Sequence, residues 1–202
     1  MGNALVRAAC HGSEEVVDML PGQEDTNANK PNEKGQTPLL LAAWNGHEEV
    51  VKILLGQGDV DPNESDNEGK TPLLCAAQNG HAGVVKILLE QVNIEPEKPD
   101  HAGQTPLWSA AANGHEGVVE LLLGRADVDP NTSDKCGKTP LSCAALNGHA
   151  GVVETLLRRN DIDPNIQDSE GGAPLISAAV NGDVRVVKIL LGRDDVDVNI
   201  KT

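Results

Sequence analysis

Apolar residues fall along the chain in short clusters at three- and four-residue spacing, separated by polar stretches of regular length. Between Gly35 and Glu68, Leu39, Ala42 and Ala43 form one cluster, and Val50, Val51, Leu54 and Leu55 form a second. Such spacing lines up each cluster on one side of a helix, so the segment predicts two short helices. Thr37 is placed to cap the first with its hydroxyl, and Pro38 sits where a helix has no use for an N–H. Asn45-Gly46 stops that helix, Glu48 and Glu49 suit the positive end of the second, and Gly56 and Gly58 close it. The remainder, Asp59 to Glu68, is rich in Asp, Asn, Pro and Glu and predicts an extended loop with a turn.

The same pattern then repeats. Its opening glycine returns at Gly69, Gly103, Gly137 and Gly171, a step of 34 residues, and Thr-Pro follows at Thr37-Pro38, Thr71-Pro72, Thr105-Pro106 and Thr139-Pro140. A fixed period in this range marks an array of stacked supersecondary units, here an all-α repeat solenoid of six units read as a single domain, 1–202. Residues 1–34 form a degenerate first copy, with Asn3-Ala4-Leu5 for Thr-Pro-Leu, Ser13 for His and Pro21 late in its second helix. It is read as an N-terminal capping repeat kept soluble by Arg7, Glu14, Glu15 and Asp18. Residues 35–68, 69–102, 103–136 and 137–170 are the regular repeats. Residues 171–202 are read as a C-terminal capping repeat, with Ala173 for the capping Thr, Asp183 for the His, and Arg185 and Arg193 added.

Composition narrows the function. Hydrophobic residues make up 39% of the chain but aromatics only 1%, which suits thin repeated layers of Leu, Val, Ile and Ala better than one large core. The net charge of -15 argues against a nucleic-acid partner, because a polyanion would be repelled, and favours a basic or polar protein surface. No apolar run approaches the roughly 18 residues needed to span a bilayer. A soluble, intracellular, cytoplasmic protein is therefore expected, with the nucleus left open and no membrane partner. Cys10, Cys75, Cys136 and Cys143 stand in no paired metal spacing and are expected to be free thiols.

The motif G-x-T-P-L-x-x-A-A-x-x-G-H-x-x-V-V-x-x-L-L, carried by Gly35 to Leu55, Gly69 to Leu89, Gly103 to Leu123 and Gly137 to Leu157, resembles the ankyrin repeat family. The resemblance implies a curved stack of helix-turn-helix units with projecting β-hairpin-like loops, whose concave surface binds partner proteins. The chain departs from the family at the His that follows Thr-Pro-Leu, which here is Leu40, Leu74, Trp108, Ser142 and Ile176. Its loops take an Asp-Val-Asp-Pro-Asn form, at Asp59 to Asn63 and Asp127 to Asn131, which resembles the style of fungal ankyrin arrays.

Two patterns suggest metal chemistry and are set aside. Asp59-x-Asp61-x-Asn63 opens like a calcium loop, but the sixth position is Glu64 instead of Gly and the twelfth is Lys70 instead of Glu. His47, His81, His115 and His149 recur once per layer, roughly 8–10 Å apart, too far to share an ion, and are expected to bond to backbone. No cofactor, metal or catalytic group is expected.

Positions where the repeats disagree are the candidate partner-binding residues, since a packing role would make them alike. The resemblance to ankyrin arrays implies that these fall on the hairpin tips and the exposed side of the first helix, and they are Glu33, Lys34, Gln36, Trp44 and Asn45, then Asn67, Glu68, Lys70, Gln78 and Asn79. The later copies add His101, Ala102, Gln104, Ala112 and Asn113, and Lys135, Cys136, Lys138, Leu146 and Asn147. Trp44 is the candidate anchor, with packing against a neighbouring loop as its alternative, whereas Trp108 is expected to be buried. The expected function is a monomeric protein–protein interaction module. The alternatives are an enzyme using the concave groove as a small-molecule pocket, and a designed or excised scaffold with no activity of its own.

Overall fold

The computed structural model describes residues 4–20 and 27–200, and among these it is all-helical, with twelve helices and no strand. The expectations at Asn3 and Pro21 lie outside the described residues. The chain divides into two compact units, Met1–His101 and Ala102–Thr202. The first contains α1 (Ala4–His11), α2 (Glu14–Met19), α3 (Pro38–Asn45), α4 (Glu48–Leu55), α5 (Pro72–Gln78) and α6 (Ala82–Leu89). The second contains α7 (Pro106–Ala112), α8 (Glu116–Leu123), α9 (Pro140–Leu146), α10 (Ala150–Leu157), α11 (Pro174–Asn181) and α12 (Val184–Leu190).

Each repeat is one helix pair, and its ends are set by local chemistry. Thr37 Oγ1 accepts the Leu40 N–H at 3.1 Å, and Thr71, Thr105 and Thr139 cap α5, α7 and α9 in the same way. Gly46 ends α3 at φ 77, a left-handed conformation, and it also leaves the space into which the His81 ring fits, since a β-carbon there would lie 2.6 Å from Nδ1. His47, His81, His115 and His149 then stand at the N-cap positions of the second helices. Instead of capping their own helix, His47, His81 and His149 reach back to the repeat before. His47 Nε2 meets the Cys10 carbonyl at 3.1 Å, His81 Nε2 the Trp44 carbonyl at 2.9 Å, and His149 Nε2 the Ala112 carbonyl at 3.1 Å. A carbonyl only accepts, which puts the ring proton on Nε2.

Within the first unit α1 packs on α3 and α3 on α5, with α2, α4 and α6 stacked beside them; α7, α9 and α11, with α8, α10 and α12, repeat the arrangement in the second. The interior is made of aliphatic side chains, with Leu39, Leu54, Leu73, Leu107, Leu141 and Leu156 among the fully buried ones. Each such leucine stabilises the stack by about 1.5–3 kcal/mol. Ala43, Ala77, Ala111 and Ala145 are fully buried, and their small size lets adjacent first helices come close. No helix among the described residues is long and apolar enough to cross a membrane.

Among the described residues the loops between repeats are turns without strand ladders. Asp66 Oδ1 accepts the N–H groups of Glu68 and Lys70 at 2.9 and 3.0 Å, shaping the turn that Gly69 closes. Asn32, Asp134 and Asp168 shape the turns at 32–36, 134–138 and 168–172 in the same manner. Adjacent turns are tied by a single backbone bond, from Asn67 N–H to the Lys34 carbonyl, His101 to Glu68, Lys135 to Ala102, and Ser169 to Cys136.

Candidate protein-binding face

In the first unit the turn tips and the first helices bring several of the expected residues together. Glu33, Lys34, Asn67 and Glu68 are exposed, and Asn67 joins two tips by donating its amide to the Glu33 carbonyl at 3.1 Å. Trp44, at the end of α3, is 36% exposed. Lys70, from the next turn, holds its ammonium 5.8 Å from the centroid of the Trp44 ring and 3.1 Å from Glu68 Oε2. The indole therefore has one face under a cation, an attraction of about 0.5–1 kcal/mol at an exposed site. The neighbouring turn supplies Lys70 to one face of the ring, and the ring keeps open surface. Gln36 is half-buried and engaged within its own turn, accepting from Asn32 Nδ2 at 2.9 Å, and Gln78 is half-buried on α5. His101 is exposed at the third tip.

In the second unit Lys135 and Cys136 are exposed at a tip, while Gln104, Ala112, Lys138 and Leu146 are half-buried. Lys138 and Leu146 line a hollow of about 230 Å³ together with Asp168, Ile176 and Val180. Trp108 is half-buried, and its indole N–H donates to the Lys138 carbonyl at 2.9 Å. It thus supplies a hydrogen bond from the position where the family places its His. Ser142 fills the matching position of the next repeat and donates back to the Thr139 carbonyl at 2.9 Å.

A larger hollow of about 550 Å³ lies in the first unit between repeats one and two, lined by Val6, Arg7, Cys10, His11, Gln36 and Leu41 among others. Sequence reasoning treated Arg7 as part of a cap's soluble outside and did not consider His11. The available signal was their i, i+4 spacing on one short helix. Cys10 accepts weakly from Asn45 Nδ2 at 3.7 Å. All four cysteines are free thiols, and burial pushes Cys75 and Cys143 up to about 12, so both stay protonated and unreactive at neutral pH. Among the described residues no group of three or more His, Cys, Asp and Glu is arranged to hold a metal ion.

The Asp-x-Asp-x-Asn segments that resembled a calcium loop have another use. Asp61 Oδ1 accepts the Asn63 N–H at 2.9 Å, and the Asn63 side chain crosses to the following repeat. Arginine adds a second clamp in the second unit. Arg159 grips Asp161 through two bonds of 2.8 and 2.6 Å and extends Nη1 to the Leu123 carbonyl at 2.8 Å, satisfying the end of α8. Arg193 does the same with Asp195 and Leu157.

A family model described as ankyrin repeats (3 copies) matches residues 2–66, 58–134 and 126–202, and the chain belongs to that family. No curated protein matches it. Ankyrin repeats are generally protein–protein interaction modules.

Proposed function

We propose that this chain recognises a partner protein through the face formed by its first helices and turn tips, with Trp44 as the anchor and Lys70 as the polar group beside it. The observation that carries the reading is the exposed indole held under the Lys70 ammonium, at a position where the other copies have Cys10, Gln78, Ala112, Leu146 and Val180. Large aromatic side chains with little freedom to lose are favoured interface anchors. The His81 bond to the Trp44 carbonyl fixes the backbone beneath the ring, and the bond from Asn67 to Lys34 fixes the tips, so the surface is ordered before a partner arrives. Glu33, Lys34, Asn67 and Gln78 form the surrounding polar rim in the first unit, and in the second unit Gln104, Ala112, Lys135, Lys138 and Leu146 are the corresponding recognition residues. The net charge of -15 favours the approach of basic or polar partners, an effect that weakens with salt.

Affinity capture tests the reading. The intact chain and a Trp44→Ala, Lys70→Glu variant are immobilised and the retained proteins compared. A protein held by the intact chain and lost by the variant, with helical signal unchanged, supports the proposed face; equal retention by both refutes it.

A further inference from the structure

Asn-Gly occurs five times, at Asn45-Gly46, Asn79-Gly80, Asn113-Gly114, Asn147-Gly148 and Asn181-Gly182, at the ends of α3, α5, α7, α9 and α11. An asparagine before glycine is the one most open to attack by the next backbone nitrogen, because glycine carries no side chain to hinder the approach. Four of these five side chains are held. Asn45, Asn79 and Asn113 donate their amides to the carbonyls of Leu41, Cys75 and Ser109 in the same turn of chain, at 2.8, 2.9 and 2.8 Å. Asn147 donates to the Ala112 carbonyl of the repeat before, at 2.9 Å. Asn181 is exposed and makes no side-chain hydrogen bond among the described residues. Its amide nitrogen lies beside Gly148 instead, 3.3 Å from where a β-carbon would stand. The acceptors used by the other four belong to the same helix or to the preceding repeat, and α11 has both, so this difference does not follow from where the chain stops.

Backbone geometry does not separate the five. Gly46, Gly80, Gly114, Gly148 and Gly182 all have φ between 73 and 77, and each N–H donates to the carbonyl three residues back at 3.1 to 3.3 Å. The side-chain bond is the difference. Attack on Cγ needs the amide to swing toward the following nitrogen, and a bond that must break first slows the step roughly two- to tenfold. We propose that Asn181 is the site at which the folded chain is modified by deamidation. The Gly182 nitrogen bonds to Asn181 Cγ, the bond from Cγ to Nδ2 breaks, and the Gly182 N–H proton leaves with that nitrogen as ammonia. A cyclic imide remains. Water then adds to either imide carbonyl and opens the ring to aspartate or its β-linked isomer, so one water enters, one ammonia leaves and nothing is oxidised. Either product puts a carboxylate at the C-terminal end of α11, where the helix dipole opposes it. The β-linked form also lengthens the backbone just before Gly182 turns it into α12 at φ 74. The modification is independent of the partner-binding reading, because it needs neither Trp44 nor Lys70.

Timed incubation of the 202-residue chain at mildly alkaline pH, followed by tryptic digestion and mass spectrometry, tests this, because the five Asn-Gly pairs fall in five separate tryptic peptides. The acid form of Asn181 should accumulate roughly two- to tenfold faster than that of each other Asn-Gly asparagine. In urea the side-chain bonds are gone, and the five rates should draw together. Asn181→Gln lengthens the side chain so that the small ring does not close readily. This variant should lose the earliest acidic species on charge separation while keeping its circular dichroism, since Asn181 is exposed and its side chain supports nothing. Equal rates in the folded chain, another asparagine converting first, an unchanged lead for Asn181 in urea, or persistence of the earliest acidic species in Asn181→Gln would each overturn the proposal.

Discussion

Asn63 donates its side-chain amide to the Asn93 carbonyl at 2.7 Å, bridging two repeats that are 30 residues apart at this point. Its Oδ1 accepts the Glu95 N–H at 2.9 Å, so one side chain satisfies a donor and an acceptor of the next loop. Asn131 makes the same two bonds to Asp161 and Asp163, and Asn165 to Asp195 and Asp197. Asn63 is 5% exposed, so water does not readily replace it. Asn63→Ala should cost about 1–3 kcal/mol, read as a lower urea midpoint. Asn165→Ala, at a half-buried site, should cost less; an unchanged midpoint for Asn63→Ala would show that the bridge supports nothing.

A missing cap offers a gain in stability. Ala173 precedes α11 at φ -90 and ψ 163, close to the geometry of the four capping threonines, yet has no oxygen to offer. Ala173→Thr should stabilise the last repeat by about 0.5–1 kcal/mol. Thr71→Ala should cost about 1 kcal/mol in the same thermal or urea assay.

The arginine clamps predict a direction with pH. Hydrogen bonding from Arg159 holds the Asp161 carboxyl below its ordinary range, and Arg125 and Arg193 do the same to Asp127 and Asp195. A carboxylate with a lower pKa in the fold than in the unfolded chain adds stability above the unfolded value, and this is lost as pH falls through the folded value. Melting temperature should therefore decline as the pH drops below about 4. Arg159→Gln should make that decline shallower, and high salt should reduce the difference because these carboxylates face water.

Thiol chemistry checks the packing. Cys136 is exposed, Cys10 partly so, and Cys75 and Cys143 are buried with their thiols pushed up to about 12. A neutral-pH disulfide reagent should label Cys136 first and Cys10 more slowly. Cys75 and Cys143 should react only in denaturant; their fast labelling in the native chain would contradict the buried positions.

Helix ends were legible in the sequence because their causes are local. Thr37-Pro38 begins α3 and Asn45-Gly46 ends it through contacts within a few residues. The periodic histidines were likewise readable as backbone-bonding groups, although which carbonyl each reaches depends on the stacking. The Asn63 bridge was not legible, because its partners arrive from another loop and an Asp- and Asn-rich segment reads equally well as a solvated turn. At the candidate site, the odd residue Trp44 marked itself by differing from its counterparts. That Lys70 would lie over its ring follows only from how the next turn is placed. Arg7, Cys10 and His11 escaped notice as a group because the first copy looked only like an end piece.

The central claim is that Trp44 and Lys70 hold a partner protein, and a binding titration of the captured partner against the intact chain, Trp44→Ala and Lys70→Glu measures it most directly. The account predicts that Trp44→Ala raises Kd at least about tenfold, the range of an anchor residue, while melting temperature stays nearly constant. Lys70→Glu should weaken binding less and mainly at low salt. An unchanged Kd for Trp44→Ala, or a loss of binding that only follows a loss of fold, would contradict it.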